Sequence, residues 1–197
     1  MKGLFLLFFS LFTGSYVFAQ KAAEGLAVQT KAPDFKAKDQ NGKDISLSSL
    51  RKQGPVVVLF YRGNWCPYCN KQLKELQDSL QYITAKGASV LAITPEAVEG
   101  VEKTVKKTGA SFPVIYDEEV KISKAYKVSY EVDTATVNKY KTNWNVDFLK
   151  INQQKEKAYL PVPAVYIIDR KGIITYRFFE SDVTKRPSVQ ELVKNIQ

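Results

Sequence analysis

The stretch VVVLFYRGNWCPYCNKQL, from Val56 to Leu73, contains both cysteines of the chain and changes its hydrophobic pattern halfway. Gly54–Tyr61 is a continuous apolar, β-branched run, which is typical of a strand buried on both faces. From Pro67 onward the apolar residues follow helical spacing, and proline is favoured in the first helical turn because its missing N–H is not needed there. The pattern therefore predicts a central strand that leads into a helix, with Cys66 and Cys69 at the junction.

Two cysteines three positions apart at the start of a helix are suited to reversible oxidation. Backbone N–H groups at a helix N-terminus stabilise negative charge, and thiols in Cys-x-x-Cys motifs have pKa values of about 3.5–7.5. About one helical turn separates the two residues, so Cys66 is placed to attack a partner disulfide and Cys69 to resolve the mixed disulfide. Arg62 lies just upstream, in position to stabilise a thiolate, and Trp65 precedes the pair.

Two other roles for the cysteine pair are less well supported. A disulfide between Cys66 and Cys69 would close a very small loop, and such loops stabilise a fold least. A zinc site needs two more ligands, whereas the chain has no histidine and no third cysteine. The sequence therefore predicts a redox pair with no metal and no cofactor.

The first 19 residues have the pattern of a secretory signal peptide. Lys2 supplies the positive charge, Leu4–Phe12 is a short apolar run, and Val17–Ala19 presents residues that signal peptidase accepts. Cleavage is expected before Gln20, and the alternative is a leader retained as an anchor, although a membrane span needs about 20 apolar residues. We therefore predict an exported protein, periplasmic or secreted, whose residues 20–30 form a flexible N-terminus.

The composition indicates one soluble globular domain over residues 31–197. The chain has 197 residues, of which 45% are hydrophobic and 25% charged, and its formal net charge is +9. Lysines are spread along the chain and interleaved with acidic residues, whereas a nucleic-acid surface would require a clustered basic stripe. We therefore expect no nucleic-acid partner, and no stable membrane span after cleavage of the leader.

The rest of the chain alternates between strand and helix patterns. Asn41-Gly42 predicts the turn of a hairpin, and Ser188 with Glu191 forms a capping box. Further strands are predicted over 88–94, 112–117 and 164–179, the last divided by a turn at 170–172, and helices over 67–87, 96–108, 118–126 and 188–196. Residues 131–159 show no clean strand, and a partly helical insertion is predicted around 136–152. This order predicts an α/β fold with a mixed sheet.

Three stretches resemble the thioredoxin-like superfamily, and specifically its peroxiredoxin-like branch, the alkyl hydroperoxide reductase/thiol-specific antioxidant family. They are APDF at 32–35, VVVLFYRGNWCPYC at 56–69 and LPVPAVYIIDRKGIITYRFF at 160–179. The resemblance covers most of residues 30–196. It implies a thioredoxin-like fold, with a central mixed sheet flanked by helices and the helical insertion placed before a cis-proline strand.

The same resemblance assigns roles to residues around the cysteines. Pro163 is expected to be the cis-proline that faces the pair, and the backbone of Val162 is expected to bind the strand that flanks a substrate's cysteine. Pro67 and Tyr68, between the two cysteines, support the site.

The chain differs from the peroxiredoxin signature Pro-x-x-x-Thr-x-x-Cys. Alignment on the last cysteine places Cys69 at the peroxidatic cysteine, Cys66 at the threonine and Arg62 at the proline. The family's separate activating arginine is expected near the strand that begins at Ala164, and no arginine precedes Arg170 there. These differences favour a Cys-x-x-Cys oxidoreductase over a fast peroxidase.

Three functions follow as hypotheses. The first is an exported thiol–disulfide oxidoreductase with Cys66 as nucleophile and Cys69 as resolving thiol; the second is a thiol-dependent peroxidase with Cys69 peroxidatic and Cys66 resolving. The third is a non-catalytic binding module that docks a partner through Tyr140, Trp144 and Phe148, although core packing is the preferred interpretation of these aromatic residues. The expected partners are protein thiols or disulfides, or a peroxide, with an electron donor or acceptor.

Overall fold

The computed structural model describes residues 23–197. The predicted signal peptide, residues 1–19, lies outside this range. The strands are β1 (Lys36–Lys38), β2 (Asp44–Ser46), β3 (Val56–Phe60), β4 (Ser89–Thr94), β5 (Val114–Tyr116), β6 (Ser129–Glu131), β7 (Tyr159–Pro161), β8 (Ala164–Ile168) and β9 (Ile174–Phe179). The helices are α1 (Leu47–Gln53), α2 (Pro67–Asp78), α3 (Leu80–Thr84), α4 (Val98–Thr108), α5 (Lys121–Ala125), α6 (Thr134–Trp144), α7 (Phe148–Ile151) and α8 (Val189–Asn195), with a 3-10 turn at Glu118–Val120. No helix within residues 23–197 is long and apolar enough to cross a membrane.

Strand β3 is the centre of a five-stranded sheet with the order β5-β4-β3-β8-β9. It pairs in parallel with β4, where Phe60 lies opposite Ile93, and antiparallel with β8, where Phe60 lies opposite Ala164. All five residues of β3 are buried, as its apolar sequence predicted. The predicted α/β fold with a mixed central sheet is therefore confirmed.

Alternate residues of β3 supply two separate hydrophobic clusters, one on each face of the sheet. Val57 and Leu59 pack with Leu73 of α2 and Val101 of α4. Val56, Val58 and Phe60 belong to the cluster on the opposite face. Because full burial of an aliphatic or Phe side chain contributes about 1.5–3 kcal/mol, this double burial anchors the strand that leads to the cysteines.

The insertion of residues 131–159 is helical, as predicted, but two strands enclose it. β6 and β7 pair antiparallel, with Ser129 opposite Pro161, whereas the sequence predicted no clean strand in this region. Val132, Phe148, Ala158 and Leu160 form a third buried cluster inside the insertion. Strands of three residues are too short to give a readable alternation, which is why the pattern did not predict them.

The other element predictions are confirmed with small changes. β1 and β2 form the hairpin with Asn41-Gly42 in its turn. The helix predicted over 67–87 is divided at Ser79 into α2 and α3. The Ser188 hydroxyl accepts from the Glu191 N–H at 3.1 Å, which is one of the two bonds of the predicted capping box, whereas the Glu191 carboxylate accepts from the Tyr176 hydroxyl at 2.7 Å.

Residues 24–30 lie against the edge of β9, although the sequence predicted a flexible segment over 20–30. The Gln29 N–H donates to the Ile174 carbonyl at 2.8 Å, and the Ile174 N–H donates to the Thr30 carbonyl at 2.9 Å. Arg177 Nη2 donates to the Glu24 carbonyl at 2.6 Å. These backbone bonds pair part of a strand edge that would otherwise be open.

Candidate active site

A tight turn after β3 positions the cysteine pair. Gly63 has φ +151°, a conformation that favours glycine, and a Cβ there would lie 2.5 Å from the indole nitrogen of Trp65. The Cys66 N–H donates to the Gly63 carbonyl at 3.1 Å, and Cys66 is the N-cap of α2, with Pro67 in the first turn. The strand-to-helix junction predicted for the cysteines is therefore the one that forms.

The buried carboxylate of Glu96 stabilises this turn through hydrogen bonds. Glu96 is buried, and its Oε2 accepts the Asn64 N–H at 2.7 Å while Oε1 accepts from the Asn64 side-chain amide. Lys107 Nζ donates to the Asn64 carbonyl at 2.9 Å, as does Asn70 Nδ2 at 2.7 Å. Burial raises the pKa of the Glu96 carboxyl, and the hydrogen bonds from Asn64 oppose that shift.

The two cysteines are reduced and buried, and they have opposite protonation preferences. Burial alone would raise the pKa of Cys69, but the hydrogen bond from the Cys66 thiol and the charges of Arg186 and Arg62 lower it to about 6. The hydrogen bond to Cys69 and burial raise the pKa of Cys66. The two thiols titrate as a pair, and the reduced pair near neutral pH keeps one proton on Cys66 and a thiolate on Cys69.

The cation nearest this thiolate comes from a distant part of the chain. Arg186 lies between β9 and α8, and its Nη2 is 3.5 Å from Cys69 Sγ. Its Nη1 donates to the Val183 carbonyl at 3.0 Å, which fixes the guanidinium in place. The expected arginine near Ala164 is absent, as the sequence shows, and Arg186 supplies a cation at the cysteine pair from another segment.

Arg62 is a buried cation that packs among aromatic rings. Its guanidinium lies 4.6 Å from the centre of the Trp65 ring, and its Nη2 donates to the Tyr140 hydroxyl at 2.9 Å. Arg62 is only 5% exposed, its Nε has no acceptor, and it forms no ion pair with a carboxylate of the described residues. The cysteine thiols are thus the ionisable acids that Arg62 faces, apart from neutral tyrosines.

An open cavity of about 430 Å³ lies above the first cysteine. Cys66 lines it together with Arg62 and aromatic side chains, among them Trp65, Tyr68 and Tyr140. Cys69 does not line it. Of the two buried cysteines, Cys66 is therefore the one next to the cavity.

The three aromatic residues of the insertion have different environments. Phe148 is fully buried in the third cluster, and Tyr140 is partly buried with ring centroids 4.9 Å from Phe148. Trp144, by contrast, is 55% exposed at the cavity. Core packing therefore describes Phe148 and Tyr140, whereas Trp144 belongs to the surface.

The structure contradicts the expected cis-proline, and it limits the expected role of the Val162 backbone because its N–H is occupied. No peptide bond within residues 23–197 is cis, so the bond that precedes Pro163 is trans. The Val162 N–H donates to the Val128 carbonyl at 2.8 Å, which extends the β6–β7 pairing, so this N–H is already paired within the chain. Neither Pro163 nor Val162 lines the cavity.

Sequence reasoning missed Arg186, Glu96 and Asn64 as parts of the site. Glu96 had a usable signal: it follows β4 as Arg62 follows β3, and neighbouring parallel strands end at the same sheet edge. Arg186 had none, because the segment between β9 and α8 has no motif that predicts where it folds. The described residues contain no group of three or more Cys, Asp or Glu placed to hold a metal ion.

Comparison with known proteins gives a consistent family signal. The model of the AhpC/TSA family matches residues 28–177. A thiol-disulfide oxidoreductase ResA of Bacillus subtilis is 32% identical over 111 residues, which are 56% of this chain and 60% of that protein. A chloroplastic peroxiredoxin Q of Triticum aestivum is 27% identical over 165 residues, which are 84% of this chain and 64% of that protein. The matches thus span less than two thirds of the length of these relatives.

Solved structures show the same fold. A peroxidoxin BcpB from Mycobacterium tuberculosis superposes with a TM-score of 0.65 at 18% identity, covering 85% of this chain and 94% of that one. The thioredoxin domain of a thiol-disulfide oxidoreductase from Bacteroides vulgatus superposes with a TM-score of 0.58 at 16% identity, covering 87% and 99%. These similarities support the thioredoxin-like, peroxiredoxin-like fold that the sequence predicted.

Proposed function

The chain belongs to the AhpC/TSA family, and on that premise we propose that it is a thiol–disulfide oxidoreductase that cycles Cys66 and Cys69 between dithiol and disulfide. The observation that carries this proposal is the different position of the two cysteines: Cys66 lines the open cavity, whereas Cys69 does not line it and lies beside Arg186. A substrate disulfide that enters the cavity therefore lies next to Cys66 and not next to Cys69.

The reaction begins with a proton shift between the two sulfurs. The Cys69 thiolate takes the proton of the hydrogen-bonded Cys66 thiol, and the Cys66 thiolate attacks one sulfur of the substrate disulfide. One substrate thiolate leaves, and a mixed disulfide forms on Cys66. The departing thiolate takes up the remaining proton through solvent, after which Cys69 attacks the mixed disulfide and releases the second substrate thiolate. The protein is oxidised by two electrons and the substrate disulfide is reduced.

A thiol peroxidase is the second candidate, and the position of the thiolate favours it. Arg186 and the Cys66 thiol both stabilise negative charge on Cys69, which is the position of the peroxidatic cysteine in the family signature. In that reaction the Cys69 thiolate attacks the outer peroxide oxygen and becomes a sulfenic acid, while the alkoxide takes a proton and leaves as an alcohol. The Cys66 thiol then condenses with the sulfenic acid, releasing water and forming the disulfide.

Single serine variants of the two cysteines separate the candidates. The reduced Cys66→Ser and Cys69→Ser proteins are each mixed with a peptide disulfide and with an alkyl hydroperoxide, and adducts are identified by mass. An oxidoreductase gives a stable mixed disulfide with Cys69→Ser and little with Cys66→Ser. A peroxidase gives rapid sulfenic acid formation in Cys66→Ser at the wild-type rate. Failure of the wild-type pair to react with either reagent would overturn both candidates and favour a structural disulfide.

Export is the proposal for location, and the leader pattern over residues 1–19 supports it. Expression of the full chain with fractionation and mass measurement is the test. A mature protein that begins at Gln20 outside the cytoplasm is expected. A full-length product retained in the membrane would show instead that the leader is an uncleaved anchor.

A further inference from the structure

The cavity above Cys66 combines an apolar lining with a single cationic group. Trp65, Tyr68, Tyr140 and Trp144 supply the aromatic surface, and Arg62 is the charged residue among those that line it. A volume of about 430 Å³ has room for one or two side chains or a small ligand.

Among residues 23–197, Arg62 has no carboxylate partner, and the cysteine thiolate is the anion that it faces. Its guanidinium is buried and stacked on Trp65, it donates one hydrogen bond to the Tyr140 hydroxyl, and no carboxylate of residues 23–197 forms an ion pair with it. A buried cation without an anionic partner is costly, so an anion that reaches it gains more than it would at an exposed site. When the cysteines are oxidised to a disulfide, even the thiolate is lost as a partner.

The apolar surface continues beyond the cavity. Two of the large hydrophobic residues that are exposed within the described chain, Tyr68 and Trp144, lie at this cavity, 44% and 55% exposed. A small disulfide held inside the cavity would contact these two rings but cover only part of their exposed surface. A polypeptide that runs across the opening would cover them, so the surface fits a peptide segment better than a free small molecule.

We propose, building on the oxidoreductase function above, that this cavity selects polypeptide disulfides whose cysteine is flanked by an aromatic or large apolar side chain and by a carboxylate. The apolar side chain packs against the exposed rings of Tyr68 and Trp144, and the carboxylate pairs with Arg62. A charge-assisted hydrogen bond in this desolvated position favours the acidic substrate by about tenfold over its neutral isostere.

Matched peptides test the selection. Three synthetic peptides, each with one cysteine in a mixed disulfide with mercaptoethanol, carry phenylalanine and glutamate beside the cysteine, phenylalanine and glutamine, or serine and glutamate. Single-turnover rates with the reduced full-length protein are measured. The glutamate peptide is expected to react about tenfold faster than the glutamine peptide, and the phenylalanine peptide faster than the serine peptide. Equal rates for all three would overturn the proposal.

The ratio of the glutamate-peptide rate to the glutamine-peptide rate tests whether Arg62 causes the preference for glutamate. Arg62→Gln also changes the reactivity of the cysteine thiols. That change affects the reaction with both peptides equally and cancels in the glutamate-to-glutamine ratio. This ratio is expected to fall to about one. Arg170→Gln, which removes an exposed arginine at the far end of β8, is the matched control and is expected to keep the tenfold ratio. An unchanged ratio in Arg62→Gln would overturn the assignment.

Two further variants keep the proposal falsifiable if Arg62→Gln does not fold. Tyr140→Phe removes the hydrogen bond that positions the guanidinium and is expected to reduce the glutamate preference. Trp144→Ala is expected to reduce the phenylalanine preference and leave the glutamate preference unchanged. If no peptide disulfide oxidises the wild-type protein, and glutathione disulfide also fails, the proposed function itself is wrong.

Discussion

Arg186 Nη2 lies 3.5 Å from Cys69 Sγ, although 117 residues separate the two positions in the chain. The contact joins the segment before the last helix to the first turn of α2. It places a permanent cation beside a sulfur that is fully buried. Because an opposite charge within about 4–6 Å favours the ionised form of an acid, this contact is a main reason that the reduced pair is expected to carry a thiolate at neutral pH.

Replacing Arg186 with glutamine should raise the pKa of Cys69. The variant loses a cation that lowers this pKa, so the thiolate should form at a pH about one unit higher. Thiolate absorbance as a function of pH measures the shift. Lys185→Gln, which removes an exposed neighbouring cation, is the control. An unchanged titration midpoint in Arg186→Gln would show that the contact does not stabilise the thiolate.

The reduction potential should be less negative than the about −270 mV of thioredoxin. Arg186 and Arg62 stabilise the thiolate, which exists only in the reduced protein, so they favour reduction. Arg186→Gln should therefore shift the potential by about 30 mV toward more negative values for each tenfold change in the equilibrium. Equilibration with glutathione buffers measures both proteins. A potential below about −300 mV would identify a structural disulfide instead.

The stability of the reduced protein should rise with pH from about 6 to about 8.5. The folded pKa of Cys69 is lowered to about 6, and that of Cys66 is raised, so the folded pair holds one proton across this range. The unfolded pair, with ordinary thiol pKa values of about 8.5, holds two. Since the unfolded state binds more protons, the free energy of unfolding increases with pH by at most about 1.4 kcal/mol per pH unit. It decreases again above about pH 9, where the unfolded pair has lost both thiol protons.

Denaturant titrations at several pH values check this dependence. A Cys66→Ala/Cys69→Ala double variant is the control, because Glu96 and the other ionisable groups remain in it and only the cysteine contribution is removed. If the free energy of unfolding depends on pH in the same way in the two proteins, the protonation assigned to the cysteine pair is wrong.

The element order and the cysteine junction could be predicted because they depend on local patterns. The five apolar residues of β3 and the helical spacing after Pro67 are visible in any window of the sequence. Contacts between residues that are distant in the sequence produce no such local pattern. Arg186 approaches Cys69 only through the path of residues 180–188, and the pairing of Val162 with Val128 depends on the β6–β7 strands, which are too short to show alternation.

Gly100→Ala should destabilise the protein, although alanine usually stabilises a helix relative to glycine. Gly100 lies in α4, and a Cβ there would overlap Cγ and Cδ of the buried Glu96. Displacing Glu96 would break its bonds to Asn64, so we expect a loss of about 1–3 kcal/mol in the free energy of unfolding. A double-mutant cycle with Glu96→Ala checks the cause, since Gly100→Ala should cost much less once the Glu96 side chain is absent.

Phe148→Ala and Trp144→Ala should separate the structural role of the insertion from its surface role. Phe148 is fully buried, so its truncation should cost about 3–5 kcal/mol. Trp144 is more than half exposed, and its truncation should cost less than about 1 kcal/mol and leave the reduction potential unchanged. Thermal or denaturant unfolding of both variants measures the difference. Similar losses would mean that Trp144 is part of the core.

The pairing of β6 with β7 has an evolutionary consequence. Ser129 and Pro161 lie opposite each other, so the two ends of the insertion are adjacent in the fold. The insertion also contains its own hydrophobic cluster. An insertion of this kind can be lengthened, shortened or exchanged without a change in the strand order of the five-stranded sheet. Two lineages that keep the same cysteine chemistry can in this way diverge in what they recognise.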